Sequence, residues 1–319
     1  MMSLPAKALL AVGVIGCSMA AGYLARRRHW LKESASRPIM TAVAVFGYGS
    51  IGFFSLWKGK VTAQEAWLPL LAGAFMLIML PLGVLAGRML TRNRPTIGVF
   101  AVAGALANTG ATMGGLLAYI LFNEEGLRLT NVYGLLWTPV IVCAMYPVMR
   151  HFGRSESRES LGPLMVRNLL DWRSIGLPLA IVAIVLAGLD VPRPPAVERC
   201  HVIDVLVLLT TLGGYFSIGL RLHGGRMRKL TRLIVGLGVM RYVVGAALAL
   251  ALAALAPWKT GSLPWRIFLL EAVMPTAITM VAMANMFRTK PRTASALFVA
   301  NTVFFLVVCL PIVLWVLGR

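Results

Sequence analysis

The sequence predicts an all-α polytopic membrane protein with ten transmembrane helices. Only 13% of the 319 residues are charged, whereas soluble domains carry about 25%. The mean hydropathy of +0.80 comes from continuous apolar runs, which are typical of membrane helices and not of the alternating strands of a barrel. Ten helices of roughly 20 residues each would use most of the chain.

The apolar runs give the order of the predicted helices, and polar or charged stretches separate each run from the next. The ten predicted helices cover residues 5–25, 38–57, 66–90, 95–122, 129–149, 174–189, 201–220, 230–255, 265–287 and 294–317. Most of these runs reach the length of about 20 residues that a helix needs to cross the hydrocarbon core of a bilayer.

Lysine and arginine alternate between the predicted loops. The loops that follow the odd-numbered helices hold 21 of these residues, and the loops that follow the even-numbered helices hold 7. The positive-inside rule therefore places the chain in the cell inner (plasma) membrane with both termini periplasmic or extracellular. The net charge of +20 follows from these basic loops, and no aromatic residues interleave with them as in a nucleic-acid-binding surface.

The chain divides into two halves of five predicted helices. The sequence predicts a first five-helix repeat over 1–150, a short cytoplasmic linker over 151–172 and a second repeat over 173–319. A register of 165 pairs Gly110 with Pro275, and a register of 164 pairs Thr112 with Thr276. Because five is odd, the second repeat enters the membrane from the opposite side. Such inverted repeats are typical of transporters.

Predicted helices 4 and 9 carry polar and helix-breaking residues near their middle. The segment 107–115 has three polar side chains and three glycines, and Asn108 lies about 20 Å along its helix at 1.5 Å per residue. The segment 271–279 contains Pro275, about 15 Å along its helix from the other side. We therefore expect both helices to break and to cross near the midplane.

Broken helices would create an anion site for physical reasons. Pro275 cannot donate a backbone hydrogen bond, and glycine lets the chain leave helical geometry. Two breaks would present helix N-termini, which attract anions, although glycine and proline also occur in membrane helices merely as kinks and packing positions. The predicted substrate-binding residues are Asn108, Thr109, Gly110, Thr112, Pro275, Thr276, Thr279 and Arg241.

Two ionisable residues fall inside predicted helices. A charge at the bilayer centre costs at least about 2.5 kcal/mol, so Arg241 and Glu271 each need a partner or a water path. Arg241 is predicted to attract the anion, and Glu271 is predicted to be a proton-binding or gating residue together with Asn301. The alternative is a structural ion pair between Arg241 and Glu271, with Asn301 bonding between helices.

Other classes of function lack their residues in the sequence. The four cysteines form no CxxC pair, and the histidines fall in loops or at helix ends, so we predict no metal site and no cofactor. No GxxxxGK[ST] motif for ATP occurs, and no HExxH or nucleophile motif occurs. A membrane enzyme that acts on lipids would need acid, base or metal-binding residues gathered on one face, so we predict that the protein is not an enzyme.

Several segments, in order along the chain, carry a resemblance to a known family. They are Gly22–Leu31, Ala107–Gly110, Asn123–Leu127, Ile218–Leu222 and Glu271–Pro275. Together they resemble the auxin efflux carrier family of transporters over nearly the whole chain. The chain departs from the family at Gly115 and at Gly213-Gly214, where the family has prolines.

The resemblance implies a five-plus-five inverted repeat in which predicted helices 4 and 9 cross beside the site. Predicted helices 1, 2, 6 and 7 would form a dimerising scaffold, and the others would form a moving, elevator-like transport domain. Asn108 matches the family's crossing asparagine, and Pro275 matches its crossing proline. The implied substrate is a small organic anion, such as a mono- or dicarboxylate.

Three functions remain open from the sequence. The first is secondary active or facilitative transport of a small organic anion, with a proton or sodium ion as the coupling ion if there is one. The second is a sodium- or proton-coupled symporter of a larger organic anion, like the related bile-acid symporters. The third is a sensor that binds a solute in the lipid bilayer without moving it.

Overall fold

The computed structural model describes residues 4–110, 112–153, 175–222 and 227–317, together with 162, 163 and 166. Within this part of the chain the protein is all-helical and has no strand. The predicted linker 151–172 lies mostly outside the described residues. The helical class that the sequence predicted is therefore confirmed for the described chain.

The main helices follow the predicted order along the chain. They are α1 (Leu4–Arg27), α2 (Glu33–Leu56), α3 (Trp67–Leu90), α4 (Arg94–Ala105), α5 (Met113–Phe152), α6 (Gly176–Gly188), α7 (Val202–Leu220), α8 (Thr231–Leu255), α9 (Leu263–Ala272), α10 (Thr279–Met286) and α11 (Pro291–Val316). Residues of the predicted helix 4 are divided between α4 and α5, and those of the predicted helix 9 between α9 and α10.

Seven helices in the described ranges are long and apolar enough to cross a membrane: α1, α2, α3, α5, α7, α8 and α11. Large apolar side chains also cover the outside of the bundle, for example Phe46 at 71% exposure and Val307 at 69%. Soluble monomers rarely expose such continuous apolar surface. These observations indicate a multi-pass protein embedded in a membrane.

The helices pack in two groups, defined by their closest contacts. The first helix group is α1, α2, α6 and α7, and the second helix group is α3, α4, α5 and α8 to α11. In the first group, a Cβ added to Gly219 of α7 would lie 3.0 Å from the Cα of Gly22 in α1. In the second, a Cβ added to Gly83 of α3 would lie 2.8 Å from the Cα of Ala101 in α4. Small residues therefore let both pairs of backbones pack closely.

The chain turns within α5 at one residue. Asn123 has φ 57° and ψ −154°, which is outside helical geometry and divides α5 into two helical parts. Such a conformation is strained for a residue with a side chain, and asparagine is among the residues that tolerate positive φ. Gly126 follows the turn at a position where a Cβ would lie 2.7 Å from the Cβ of Phe122. The sequence predicted a change of helix in this region, between 122 and 129.

Candidate functional site at two interrupted helices

The first of two breaks lies between Ala105 and Met113 and separates α4 from α5. Helix α4 ends at Ala105, and the next residue, Leu106, already has an extended backbone with φ −91° and ψ 117°. Gly110 has φ +68°, a left-handed conformation that glycine adopts without steric cost. Helical geometry resumes at Met113. The polar segment that the sequence placed near mid-helix is therefore unwound.

The second break separates α9 from α10. Helix α9 ends at Ala272, and α10 begins at Thr279. Pro275 lies between them, and its ring removes a backbone donor and clashes with the preceding turn of a helix. The structure thus interrupts both helices at the segments where the sequence placed glycine and proline.

The two unwound segments are hydrogen-bonded to each other. The Asn108 N–H donates to the Pro275 carbonyl at 2.7 Å, and the Ala277 N–H donates to the Leu106 carbonyl at 3.0 Å. These bonds form an isolated antiparallel bridge. Unsatisfied backbone groups are costly away from water, so the pairing stabilises two breaks that would be unfavourable separately.

Arg241 from α8 binds the carbonyl ends of both interrupted helices. Its Nη1 donates to the Gly104 carbonyl of α4 at 3.0 Å, and its Nη2 donates to the Ala272 carbonyl of α9 at 2.9 Å. Nη2 also donates to the Met274 carbonyl. Helix C-termini carry partial negative charge, so a buried guanidinium satisfies both the hydrogen bonds and the dipoles. The side chain is fully buried and its Nε has no partner.

Glu271 places its carboxyl group against the first turn of α5. The side chain is fully buried, and Oε2 accepts a hydrogen bond from the Gly110 N–H at 3.2 Å. A Cβ added to Gly114 would lie 2.6 Å from the carboxyl carbon of Glu271, so a larger residue there would force this group to move. The other oxygen, Oε1, has no partner. A carboxyl group of this chain therefore lies at the helix N-terminus that attracts anions.

Asn301 from α11 holds the second break. Its Oδ1 accepts the Thr276 N–H at 2.9 Å and the Tyr242 hydroxyl at 3.1 Å. The Tyr242 hydroxyl is also 3.1 Å from the Asn301 backbone carbonyl. Asn301 is buried, so the amide takes the place of water for a backbone donor beside the proline.

Asn108 and its neighbours line the first break on the side of α7. The amide of Asn108 lies near the hydroxyl of Tyr215, although that hydroxyl makes no hydrogen bond of regular geometry. Thr112 turns inward within the break, where its hydroxyl donates to the Thr109 carbonyl at 2.7 Å. Both Asn108 and Thr109 are buried. This side of the break therefore places an amide beside a phenolic hydroxyl.

Unpartnered buried polar atoms are concentrated around the two breaks. Among the described residues, seven buried side-chain atoms lack a hydrogen-bond partner, and five of them belong to residues that lie in a break, bind one, or stand next to a residue that does. These five are the Tyr215 hydroxyl, Arg241 Nε, Glu271 Oε1, Thr276 Oγ1 and Thr302 Oγ1. Such atoms are rare in folded proteins and often indicate a site for water, an ion or a ligand.

The predicted site residues fall into three sets. Asn108, Thr109, Gly110 and Thr112 lie in the first break, Pro275 and Thr276 lie in the second, and Thr279 begins α10. The structure joins Gly110 to Glu271 and Thr276 to Asn301. The ion pair between Arg241 and Glu271, which the sequence left open, is not among the ion pairs of the described residues. Thr279 is half-buried at its helix start.

The sequence analysis did not predict two residues of the site, Tyr215 and Tyr242. Their positions in the sequence could have indicated them, since Tyr242 follows Arg241 in an apolar run and Tyr215 follows Gly213-Gly214 within α7. A phenolic hydroxyl inside a membrane helix needs a partner, as do charged groups there. Both tyrosines therefore belong with the candidate site, one beside each break.

Away from the breaks, charged side chains bind each other in a cluster that we call the charged rim. Its members are Lys58, Glu65, Glu124, Glu125, Arg128 and Arg193. Arg128 is 4% exposed and binds Glu65 as well as Glu125, the latter at 2.7 Å. Each carboxylate in the charged rim thus has at least one cation as partner.

The charged rim also connects the two helix groups. Glu124 of α5 binds Lys58 at 2.8 Å and also binds Arg193, which follows α6. Burial opposes the charge on Arg193, but hydrogen bonds to Glu124 and Glu198 outweigh it and raise the pKa of Arg193 above its ordinary value. Ion pairs therefore join loops of the first helix group to the turn of α5.

Comparison with known proteins gives no relative: no protein-family model matches the chain, and no curated protein matches it significantly. The fold and the site define the class. The described chain is a helical membrane protein in which two interrupted helices pair through their unwound segments. Interrupted helices with buried polar groups are a recurrent way of building binding sites inside membranes.

Proposed function

We propose that the chain is a secondary active or facilitative transporter of small organic anions, such as mono- or dicarboxylates. One observation carries this proposal: two interrupted helices bring helix ends and unpartnered polar atoms together inside an apolar bundle. Irregular backbone within a membrane is tolerated where it lines a cavity or a substrate path. A purely structural kink would not need so many buried polar side chains around it.

The chemistry of the breaks favours an anion over a cation as the substrate. Helices α5 and α10 begin at the breaks, so their N-terminal N–H groups and positive dipole ends point into the same region. The negative ends of α4 and α9 are already bound by Arg241. The amide of Asn108 and the hydroxyl of Tyr215 add neutral donors for a carboxylate.

The proposed architecture has ten membrane spans. In this scheme α4 and the part of α5 before Asn123 form one interrupted span, and α9 with α10 form another. The part of α5 after Asn123 forms one further span, and α6 forms another. The halves 1–150 and 173–319 form inverted repeats whose interrupted helices cross. The turn at Asn123 and the breaks at similar positions in both halves support this scheme.

The same scheme extends to mechanism and family. The first helix group would be the scaffold and dimer contact of an auxin-efflux-carrier-like protein, and the second helix group would move against it as an elevator. The division of helix packing into these two groups supports the scheme. Both breaks lie in the second helix group, so a substrate bound there would travel with it.

Topology is tested by labelling single cysteines in intact cells. With both termini outside and the linker 151–172 inside the cell, Lys259→Cys should react with an impermeant maleimide and Arg158→Cys should react only after lysis. The reverse pattern would contradict the orientation. A background in which the four natural cysteines are replaced by serine removes their labelling.

Function is tested by uptake of labelled mono- and dicarboxylates, and of larger organic anions, into proteoliposomes. We expect Asn108→Ala to weaken affinity several-fold, since one neutral hydrogen bond contributes about 0.5–1.5 kcal/mol. Pro275→Ala should lower transport more than expression, because α9 and α10 could then join. Asn285→Ala in α10 and Pro81→Ala in α3 are matched controls outside the breaks.

Each outcome separates the candidate functions. Uptake with the expected losses supports the carboxylate carrier, and uptake of only larger anions supports the coupled symporter. Saturable binding without flux over the whole panel supports the sensor. If both variants transport at the wild-type rate and affinity, the breaks are not the substrate site.

A further inference from the structure

We propose that Glu271 binds a coupling proton, and that its protonation frees the first turn of α5 for the carboxylate of the substrate. The inference rests on the proposed function and adds the coupling ion to it. It starts from a feature that the transport proposal leaves unexplained. A carboxyl group of the protein itself occupies the helix N-terminus where the substrate anion would bind.

The position of the carboxyl group is built into the fold. Glu271 is fully buried in the last turn of α9, and Oε2 accepts the Gly110 N–H at 3.2 Å. A Cβ added to Gly114, in the first turn of α5, would overlap both carboxyl oxygens, so a larger residue at this position would force the carboxyl group to move. The carboxylate therefore uses the Gly110 N–H and the helix dipole that an incoming anion would use.

No cation neutralises this carboxylate within the described chain. Arg241 on α8 faces the same region, but both of its terminal nitrogens are bound to backbone carbonyls. Tyr133 on α5 interacts electrostatically with Glu271, and Tyr242 on α8 is bound to Asn301. The remaining helices packed on α9 carry only Arg88 in the last turn of α3, and Arg292 and Cys309 on α11.

The unpartnered oxygen of Glu271 becomes a hydrogen-bond donor when it carries the proton. A neutral carboxylic acid carries an O–H donor, so Oε1 could donate to an oxygen of a bound carboxylate. An ionised Glu271 and a substrate carboxylate at the same helix N-terminus would instead repel each other at short range. The reaction is a simple addition: the carboxylate of Glu271 takes up one proton, no other bond changes, and one negative charge is replaced by that of the substrate.

This exclusion makes anion binding and proton binding cooperative. Anion affinity should fall about tenfold for each unit of pH above the range in which Glu271 of the free protein is protonated, as linkage to one proton requires. Glutamine mimics the neutral acid in shape and keeps a donor. Glu271→Gln should therefore bind the anion with an affinity that does not change with pH.

Binding of acetate to the full chain in lipid nanodiscs, from about pH 6 to about pH 8, where acetate itself stays ionised, tests the linkage. We expect a slope of about one proton in the wild type and in Glu125→Gln, a control in the charged rim, and no slope in Glu271→Gln. Wild-type affinity that is independent of pH throughout this range would overturn the proposal.

Modification by dicyclohexylcarbodiimide gives a second readout that requires no transport. This reagent reacts with protonated carboxyl groups in apolar surroundings, and mass spectrometry locates the product. Glu271 should react more at low pH and be protected by succinate, while Glu65, bound to Arg128, should not react. The measurement uses wild-type protein, so it decides the question even if Glu271→Gln does not fold.

The two readouts separate the proton site from the transport proposal. Reaction at Glu271 that falls with rising pH, in a protein that binds no organic anion, would support the proton site and contradict the transport proposal. Carboxylate transport with pH-independent affinity and no reaction at Glu271 would support the transport proposal and contradict the proton site.

Discussion

In the charged rim Arg128 binds the carboxylates of Glu65 and Glu125, whereas at the breaks Arg241 binds only backbone carbonyls. The acidic residues differ in the same way. Glu124 binds two cations, and Glu271 binds one backbone N–H. The rim therefore neutralises charge with charge, and the breaks neutralise it with the partial charges of interrupted helices.

The difference has a consequence for function. In the charged rim, side chains of opposite charge already neutralise one another. At the breaks, Arg241 holds the negative ends of α4 and α9 and leaves the positive end of α5 to Glu271, whose second oxygen is unpartnered. The charged rim is thus suited to holding loops together, and the breaks are suited to exchanging a ligand or a proton.

The largest effect is expected from Arg241→Ala. It leaves the carbonyls of Gly104, Ala272 and Met274 without their donor, and each unsatisfied buried group costs about 1–3 kcal/mol. We expect the free energy of unfolding in detergent to fall by about 3 kcal/mol or more. Arg232→Ala, near the exposed start of α8, is the matched control and should have little effect. Equal stability of the two variants would mean that Arg241 does not hold the breaks.

The next effect is expected from Gly114→Ala. The new Cβ would overlap the carboxyl group of Glu271 and force it away from the Gly110 N–H. We expect a loss of about 1–3 kcal/mol of stability, typical of overpacking in a tight core, together with loss of the proton linkage. Gly238→Ala in α8 has open space around its Cβ and should be neutral or slightly stabilising. A Gly114→Ala protein with unchanged stability and pH dependence would show that the carboxyl group is not confined there.

The sequence predicts those features of the two regions that depend on neighbouring residues, and it does not predict contacts between residues far apart in the chain. The helical class follows from hydropathy, and the break segments follow from Pro275 and Gly110, whose effects on the backbone are local. The partners of Arg241 and Glu271 are not local, since Gly110 is 161 residues away from Glu271 in the chain. The sequence left open an ion pair between Arg241 and Glu271, but it could not predict that each would instead bind backbone groups.

Helix lengths show the same limit. The sequence predicted ten spans from continuous apolar runs, and seven helices of the described chain reach the required length. The interrupted helices do not, because α4, α9 and α10 are short segments on either side of the breaks. Hydropathy does not detect a break within an apolar run, so it counts the run as one span. The number of spans stays a prediction that the labelling experiment tests.

A smaller effect is expected from Asn301→Ala, which removes a neutral partner at the second break. The Thr276 N–H and the Tyr242 hydroxyl would both lose their acceptor, Oδ1. The Tyr242 hydroxyl can keep the Asn301 backbone carbonyl, so we expect a loss of about 1–2 kcal/mol, mainly for the unsatisfied N–H. Thermal unfolding in detergent measures it, with Asn285→Ala as control. A loss as large as that of Arg241→Ala would show that a neutral partner stabilises the breaks as much as a charged one does.

The smallest effect is expected outside both regions, at the pair of Lys60 and Asp190. Their nitrogen and oxygen lie 2.6 Å apart, but the side chains are 55% and 76% exposed. Exposed ion pairs contribute about 0–1 kcal/mol, because water screens the attraction and two long side chains lose conformational freedom. Lys60→Ala should therefore change stability by no more than about 0.5 kcal/mol and leave anion affinity unchanged. The same substitution at Lys58, whose partner Glu124 is 20% exposed, should have the larger effect of the two, and added salt should narrow the difference. If Lys60→Ala were as damaging as Lys58→Ala, burial would not be what distinguishes the charged rim from the exposed surface.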